Sequence, residues 1–219
     1  MRNDISVETA VMERRHLAGS KDVSTHLSTR LELESISEDD DYFGLKEVEQ
    51  NNRHKQFQNV DYGLEPNIKN SPGGLRDIQT LMWIALKRHK TTSKRELIKL
   101  GVLTKTESRL LASAEKFLRH TRFGLHLISK NKEDRLRFMY QRELSAKLGY
   151  KGSDVRLDVE RFMQKYYRHV LAIQEINTIV IQSFRENLSE VTEPQTKINT
   201  RFNLVGNYCL LYTSPSPRD

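Results

Sequence analysis

Apolar residues recur at every third or fourth position over most of the 219-residue chain, which is the spacing of an amphipathic helix. The longest stripe, from Val159 to Phe184, predicts a helix over residues 155–187 that buries one face. A similar stripe from Leu110 to Ile128 predicts a second long helix. In all, helices are predicted at residues 1–19, 43–58, 72–90, 93–101, 104–131, 134–149 and 155–187. The chain is therefore expected to be mainly α-helical.

Two of the predicted helices begin with a capping box, in which the first side chains and backbone groups of a helix satisfy each other. Thr104 with Glu107 has this pattern, and so has Ser93 with Glu96. Both pairs predict where a helix begins.

The segment before residue 70 has a different character. Pro66 argues against helix there, and Ile68 and Lys69 are expected to form a short strand. The predicted fold is thus a short mixed segment followed by a bundle of four or five helices.

The composition limits the class of protein. Hydrophobic residues make up 37% of the chain and charged residues 30%, which is typical of helices with charged outer faces around one core. No apolar run reaches the length of a membrane span, so no membrane association is expected. The single cysteine, Cys209, excludes an internal disulfide and favours the cytoplasm. The net charge of +7 permits an anionic partner, but Lys and Arg are spread over every helix, which argues against nucleic acid.

The segment 67–79, N-I-K-N-S-P-G-G-L-R-D-I-Q, is the part of the chain with the most chemical character. Ser71 is a candidate N-cap, and Pro72 is a candidate first residue of the helix that follows. The first free backbone N–H groups would then belong to Gly73, Gly74 and the next residue. With the positive end of the helix dipole, they are expected to form a seat for a phosphate or carboxylate.

Charged side chains flank this predicted seat. Lys69 and Arg76 are placed to add positive charge, and Asp77 to hold a metal-bound water or to orient Arg76. The alternative is that Ser-Pro-Gly-Gly is only a helix start that passes close to a neighbouring element. Arg53, in the predicted helix at 43–58, is similarly either a phosphate contact or an exposed arginine.

A second candidate site is rejected. Gly19-Ser20 followed by Asp39 and Asp41 imitates a nucleotidyltransferase signature, in which two carboxylates on one face of a strand hold Mg²⁺ ions. Such a strand needs apolar neighbours, and these aspartates lie in the acidic run S-E-D-D-D-Y. They are expected in a solvated loop or at a helix start.

The segment 64–78, L-E-P-N-I-K-N-S-P-G-G-L-R-D-I, resembles the signature of the bifunctional uridylyltransferase/uridylyl-removing enzymes of the nitrogen regulator PII. Other segments occur in that family's order and spacing: M-E-R-R-H-L-A-G at 12–19, N-N-R-H at 51–54, R-F-G-L-H at 122–126 and F-N-L-V-G-N-Y at 202–208. The resemblance covers residues 5–208. A related glycine-rich run occurs in the adenylyltransferases that modify glutamine synthetase, but the L-E-P lead and the Arg76-Asp77 pair favour the uridylyl enzymes.

The resemblance implies a parent enzyme that transfers UMP from UTP to a tyrosine of PII and hydrolyses that bond again. It implies Mg²⁺ as the cofactor, held by paired aspartates that lie outside this chain. It assigns nucleotide binding to Lys69, Gly73, Gly74, Arg76 and Asp77. No catalytic or metal-binding residue is expected within the chain, which also contains no His-Asp dipeptide for the hydrolytic site. The chain is therefore expected to be inactive alone, as an internal piece of a cytoplasmic nucleotidyltransferase.

The same resemblance divides the chain into four parts. Residues 1–70 are assigned to the end of an α/β nucleotidyltransferase domain, and residues 71–187 to the helical bundle domain that follows it. Residues 188–208 are expected to be a linker towards a phosphohydrolase domain. Residues 209–219, C-L-L-Y-T-S-P-S-P-R-D, do not resemble the family and are expected to be a non-native tail.

Three other interpretations remain open. The chain could be a non-catalytic helical module that docks PII, or a piece of the related glutamine synthetase adenylyltransferase. A helical nucleic-acid binder is the third, and it predicts binding to duplexes that weakens steeply with salt.

Overall fold

A computed structural model of the chain shows a predominantly helical protein. The structure describes residues 4–33, 39–61, 64–152, 154–192, 195–197, 202–205 and 208–211. In that part of the chain the helices are α1 Ile5–Met12, α2 Lys21–Leu33, α3 Asp39–Asp61, α4 Leu75–His89, α5 Lys94–Lys99, α6 Lys105–Ser129, α7 Phe138–Lys147 and α8 Val155–Thr192. The expectation of a mainly α-helical fold is confirmed. None of these helices combines enough length with enough apolar character to cross a bilayer.

The chain forms two compact units. Residues Met1–Asn177 form the first, and Thr178–Asp219 the second. The second unit contains a three-stranded antiparallel sheet of β1 Gln195–Lys197, β2 Phe202–Val205 and β3 Tyr208–Leu211, in the order β1-β2-β3. Gln195 lies opposite Val205 and Phe202 opposite Leu211. The segments predicted as linker and tail therefore contain strands, while residues 212–219 lie outside the described residues.

The core of the first unit is built around α4. This helix packs against α3 and α6, and α1 packs against both α3 and α4. On α6 and α8, the rings of Phe117 and Phe162 lie 6.1 Å apart. The buried apolar side chains of this unit include Ile68, Leu81, Ile84, Leu111, Leu118, Leu125, Leu136, Leu144, Phe162, Tyr166 and Ile173. The helical residues before and after position 70 thus share one core, and the division at 70/71 into parental domains stays a prediction.

Several predicted helix limits differ from the observed ones. The helix predicted over 1–19 ends at Met12, and a separate helix, α2, follows after Gly19. The helix α3 begins at Asp39. The acidic run is therefore a helix start, which was one of the two alternatives expected for Asp39 and Asp41. The last helix continues to Thr192, beyond the predicted end at residue 187, because polar residues without periodicity still propagate an existing helix.

Of the two predicted capping boxes, one is confirmed. The side chain of Thr104 accepts from the N–H of Glu107, and Glu107 accepts from the N–H of Thr104. The box at Ser93 is wrong, because that side chain makes no capping bond. There, the hydroxyl of Thr91 instead donates to Glu96 and accepts from the N–H of Ser93.

The segment that leads into α4 is fastened to the connection between α6 and α7. The N–H of Ile68 donates to the carbonyl of Asp134 over 2.8 Å, and the N–H of Leu136 donates to the carbonyl of Pro66 over 2.8 Å. Asn67 and Arg135 form an isolated antiparallel bridge between them. The strand predicted at Ile68 and Lys69 is therefore wrong: those residues form a turn, and the extended pairing lies just before them.

Asp134 anchors this pairing through its side chain as well. Its Oδ1 accepts from Arg122 Nε at 2.6 Å and from His126 Nε2 at 3.0 Å, both on α6. Burial raises the pKa of the Asp134 carboxyl, but the hydrogen bonds and positive charges of Arg122 and His126 outweigh it and hold that pKa below its usual value. The negative charge of Asp134 therefore stabilises the fold.

Asp134→Asn is expected to lower the free energy of unfolding by about 1–2 kcal/mol at neutral pH, since charge-assisted bonds to Arg122 are lost. Because the folded pKa of Asp134 is depressed, this stabilisation is present above the unfolded pKa and is lost as the pH falls through the folded one. Urea denaturation of both proteins between neutral and strongly acidic pH measures it, and the two curves should converge in acid. Glu143→Gln is the control, since its pair with Lys147 is exposed. A constant difference at all pH values would contradict this account.

Gly73 lies close to the backbone of α8. Its φ of 75° lies in the left-handed region, and a Cβ at this position would lie 2.3 Å from the carbonyl oxygen of Val170 on α8. Glycine thus allows the turn before α4 to lie directly on the backbone of α8.

Gly73→Ala is expected to destabilise the protein by roughly 2–5 kcal/mol, since it combines left-handed strain with a clash against backbone. Gly101→Ala is the matched control, because Gly101 has a φ of 74° and open space around its Cβ position. It should cost about 1 kcal/mol, from strain alone. Urea denaturation measures both, and equal losses would show that the approach to Val170 is not what requires glycine.

Candidate functional site

A cleft of ≈ 730 Å³ lies in the first unit where α1, α3 and the start of α4 meet. Its volume falls within the range of small-molecule and cofactor sites. The lining residues come from those three helices and from the turn before α4: Ser6, Thr9, Ala10, Glu13, Lys46, Glu49, Asn52, Arg53, Gln56, Phe57, Asn70, Arg76 and Trp83. Of the five residues predicted to bind a nucleotide, Arg76 is in this set.

Asp77 occupies the position expected for a bound anion. It is 1% exposed, and its Oδ2 accepts from the backbone N–H of Gly73 over 2.7 Å. Its Oδ1 accepts from Arg53 Nη1 at 2.8 Å and from His54 Nε2 at 2.9 Å. An ionised carboxylate can only accept, so His54 donates from Nε2. Asp77 therefore ties the turn before α4 to α3.

The predicted seat of free backbone N–H groups is wrong. The helix begins at Leu75 rather than at Pro72, with Gly74 as its N-cap. The N–H of Gly74 donates to the carbonyl of Ser71, and that of Leu75 to the carbonyl of Ile68. Ser71 is not the cap, since its hydroxyl accepts from the N–H of Asn67. Because the turn folds back on itself, its own carbonyls and Asp77 use the donors that a phosphate would need.

The predicted site residues are thus separated by role. Gly73, Gly74 and Asp77 are buried and support the turn, while Lys69 is half-buried in it. Arg76 follows in the first turn of α4 and reaches the cleft. The assignment of these five residues to a nucleotide site stays a prediction, and its backbone part has lost its physical basis.

Three cationic side chains line the cleft, and two of them contact the same ring. Lys46 Nζ lies 4.5 Å from the ring centroid of Trp83, and Arg76 Cζ lies 5.2 Å from it. Lys46 is also paired with Glu49 at 2.7 Å. Arg76 has no carboxylate partner among the residues that the structure describes. Its charge is therefore available to a ligand in the cleft.

The third cation, Arg53, is held at one end only. Its Nη1 donates to Asp77 Oδ1 and, over 3.2 Å, to the carbonyl of Asn70. Its Nε and Nη2 atoms are buried and have no hydrogen-bond partner in the described part of the chain, and the same holds for Trp83 Nε1. Buried donors without acceptors are uncommon in folded proteins.

Buried polar contacts beside the cleft join α1 to α3 and α4. Lys87 Nζ donates to Glu8 Oε1 over 2.9 Å, and both side chains are largely buried. The hydroxyls of Tyr42 and Thr9 lie 3.1 Å apart. Burial raises the pKa of Tyr42 to about 12, so its hydroxyl stays neutral over the physiological range. These contacts keep the third wall of the cleft in place.

Within the described residues, no group of three or more His, Cys, Asp or Glu side chains could hold a metal ion. The expectation that Mg²⁺ is held outside this chain stays a prediction. What the cleft does offer is positive charge and N–H donors, which suit an anionic ligand rich in oxygen.

Sequence reasoning missed part of this site. Lys46 lies in no motif, and Trp83 is buried as an apolar side chain of α4 while also lining the cleft. Of the two alternatives given for Arg53, the exposed arginine is wrong, because its side chain is only 11% exposed. The pattern N-N-R-H was the available signal. Its arginine and histidine lie on α3, and both contact the aspartate of the R-D pair on α4.

Comparisons with known proteins are consistent with the resemblance seen in the sequence. Residues 43–181 match the family model described as GlnD PII-uridylyltransferase, which covers more than half of the chain. The match includes Arg53, Arg76 and Trp83 but not α1. No part of this match points to the adenylyltransferase alternative.

Individual relatives agree. The chain is 41% identical over 208 residues to a "Bifunctional uridylyltransferase/uridylyl-removing enzyme" of Pseudomonas savastanoi pv. phaseolicola. Proteins with the same name from Stutzerimonas stutzeri and Pseudomonas aeruginosa are 41% and 39% identical over 209 residues. Each alignment covers 94% of this chain and 23% of the relative, so the chain spans about a quarter of their length. On the family match and these identities, the chain belongs to the GlnD PII-uridylyltransferase family.

Proposed function

We propose that this chain contributes to an enzyme that transfers UMP from UTP to the PII regulatory protein and hydrolyses it off again. The names of its relatives support the two activities, and the family name supports PII as the protein substrate. Within that enzyme, the cleft between α1, α3 and α4 forms part of the nucleotide site. The single cysteine of the chain favours a cytoplasmic enzyme.

The observation that carries this proposal is the position of Arg76. It lies in the G-G-L-R-D motif that marks the family resemblance, and its guanidinium reaches the cleft against the face of Trp83. A cation without a carboxylate partner in the described part of the chain, lining a nucleotide-sized cleft, is placed to attract a phosphate group. Asp77, the next residue, braces the same helix turn.

The reacting groups are proposed to come from other parts of the longer enzyme, as is Mg²⁺, which neutralises phosphate charge when it is bound. This chain binds and orients: Arg76 fixes the nucleotide against the wall of α4, and the ordered turn at 67–74 keeps that wall rigid. Orientation of this kind accelerates a transfer reaction without direct participation in bond making.

UTP is expected to bind to the chain, and Arg76→Ala to weaken that binding about ten- to a hundredfold, as loss of a charge-assisted hydrogen bond does. Trp83 is the only tryptophan, so its fluorescence reports directly on the cleft. Equilibrium dialysis with labelled UTP gives an independent measure. Arg119→Ala is the matched control, because Arg119 is 66% exposed on α6 and away from the cleft. Equal affinities in Arg76→Ala and the unchanged chain would refute the proposed site.

The chain alone, mixed with UTP, Mg²⁺ and unmodified PII, is expected to leave PII unlabelled, since its cleft offers binding but no reacting groups. Labelled UTP followed by gel electrophoresis tests this, with an intact relative as the positive control. Transfer of label by the chain alone would place the chemistry within these residues. Binding of PII without transfer would support the docking role instead.

A further inference from the structure

We propose that Arg53 is a second phosphate-binding residue of the cleft besides Arg76, and that its Nε–Nη2 edge receives two oxygens of a polyphosphate chain. The cleft would then recognise the phosphates of its ligand rather than the base. This inference rests on the proposed nucleotide site and deepens it, by assigning the part of the nucleotide that this wall holds.

The geometry of the guanidinium group carries the argument. An arginine has five N–H donors in a fixed plane, and the edge formed by Nε and Nη2 presents two parallel bonds that match a phosphate or carboxylate. In Arg53 the opposite corner, Nη1, is taken up by Asp77 and by the carbonyl of Asn70. The Nε and Nη2 atoms have no acceptor in the described residues. One fork of Arg53 is thus anchored and the other is open.

Because Nη1 of Arg53 is anchored, its Nε–Nη2 edge is held in one orientation. Asp77 is buried and cannot follow a moving side chain, because it also accepts from Gly73 and His54. The guanidinium plane is therefore fixed before any ligand arrives. A preorganised fork loses less conformational entropy on binding than a free surface arginine.

The open edge has an energetic penalty that a ligand would remove. A buried donor without an acceptor destabilises the fold, and Arg53 has two such atoms among the described residues. Both atoms are shielded from water here, so an oxygen reaches them only after a side chain of the cleft wall changes rotamer. Such rotations are fast and need no rearrangement of the helices.

The remaining groups of the cleft favour an acceptor-rich ligand. Trp83 Nε1 is a further buried donor that has no partner among the described residues, and Arg76 adds a charge. Glu13 and Glu49 also line the cleft, but Glu49 is paired with Lys46. Phosphate oxygens only accept hydrogen bonds, so they match these N–H donors.

Arg76 and Asp77 then have complementary roles in one helix turn. Successive residues of an α-helix point about 100° apart, so Arg76 faces the cleft while Asp77 faces α3. Arg76 meets the ligand directly, and Asp77 acts as a positioning residue that aims Arg53. The Arg76-Asp77 pair therefore determines how both Arg53 and Arg76 are placed in the cleft wall.

The test uses the complete chain and two probes, inorganic tripolyphosphate and uridine, in competition with labelled UTP. Tripolyphosphate is expected to displace UTP, while uridine is expected not to. Arg53→Lys keeps the charge but removes the fork, so it should weaken the binding of tripolyphosphate at least ~10-fold. Arg119→Lys, on the exposed face of α6, is the matched control and should leave it unchanged. Circular dichroism establishes that each variant is folded.

The outcomes separate this inference from the proposed function. UTP binding that depends on Arg76 but is unchanged in Arg53→Lys would overturn the role of Arg53 and leave the nucleotide site standing. Displacement of UTP by uridine but not by tripolyphosphate would overturn it in the unchanged chain, even if Arg53→Lys did not fold. Binding of tripolyphosphate that requires Arg53, without any binding of UTP, would support the phosphate site and reject the nucleotide.

Discussion

A buried carboxylate cannot remain charged in a protein interior unless donors surround it, and Asp77 imposes that requirement on this fold. Its two oxygens are matched by the backbone of Gly73 and by Arg53 and His54 of α3. These bonds set the turn before α4 and the relation between α3 and α4. The cleft exists because the two helices are held at this junction while α1 closes its third side.

Most of the helices were predictable from local pattern, but α2 and the junctions between helices were not. Periodicity identified α6 and α8, and the Thr104 box marked where α6 begins. Local rules failed at the turn, where Gly73 was expected to offer a free N–H and instead donates to Asp77. They failed again at Glu65, which accepts from Phe138 across 73 residues. Partners so distant along the chain leave no periodic signal, so only the folded structure shows them.

The candidate site was predicted only in part, because its contacts also join residues that are distant in the sequence. Arg76 was a candidate because it lies in a motif that resembles a known family. Arg53 did not, since a sequence shows that an arginine is present but not whether it is buried or which of its nitrogen atoms are paired. Trp83 shows a third case: it is both a core residue and a wall of the cleft, two roles that periodicity treats as alternatives.

The turn at 67–74 rests on elements that follow it much later in the chain. Gly73 lies against Val170, and Asn177 donates to the carbonyl of Asp77, 100 residues further on. During synthesis, Arg53 and Arg76 leave the ribosome long before α8, the helix that supports the turn, does. Since contacts between distant residues form late, the nascent chain has no finished cleft to fill. The cleft is thereby complete only in molecules whose last long helix has docked.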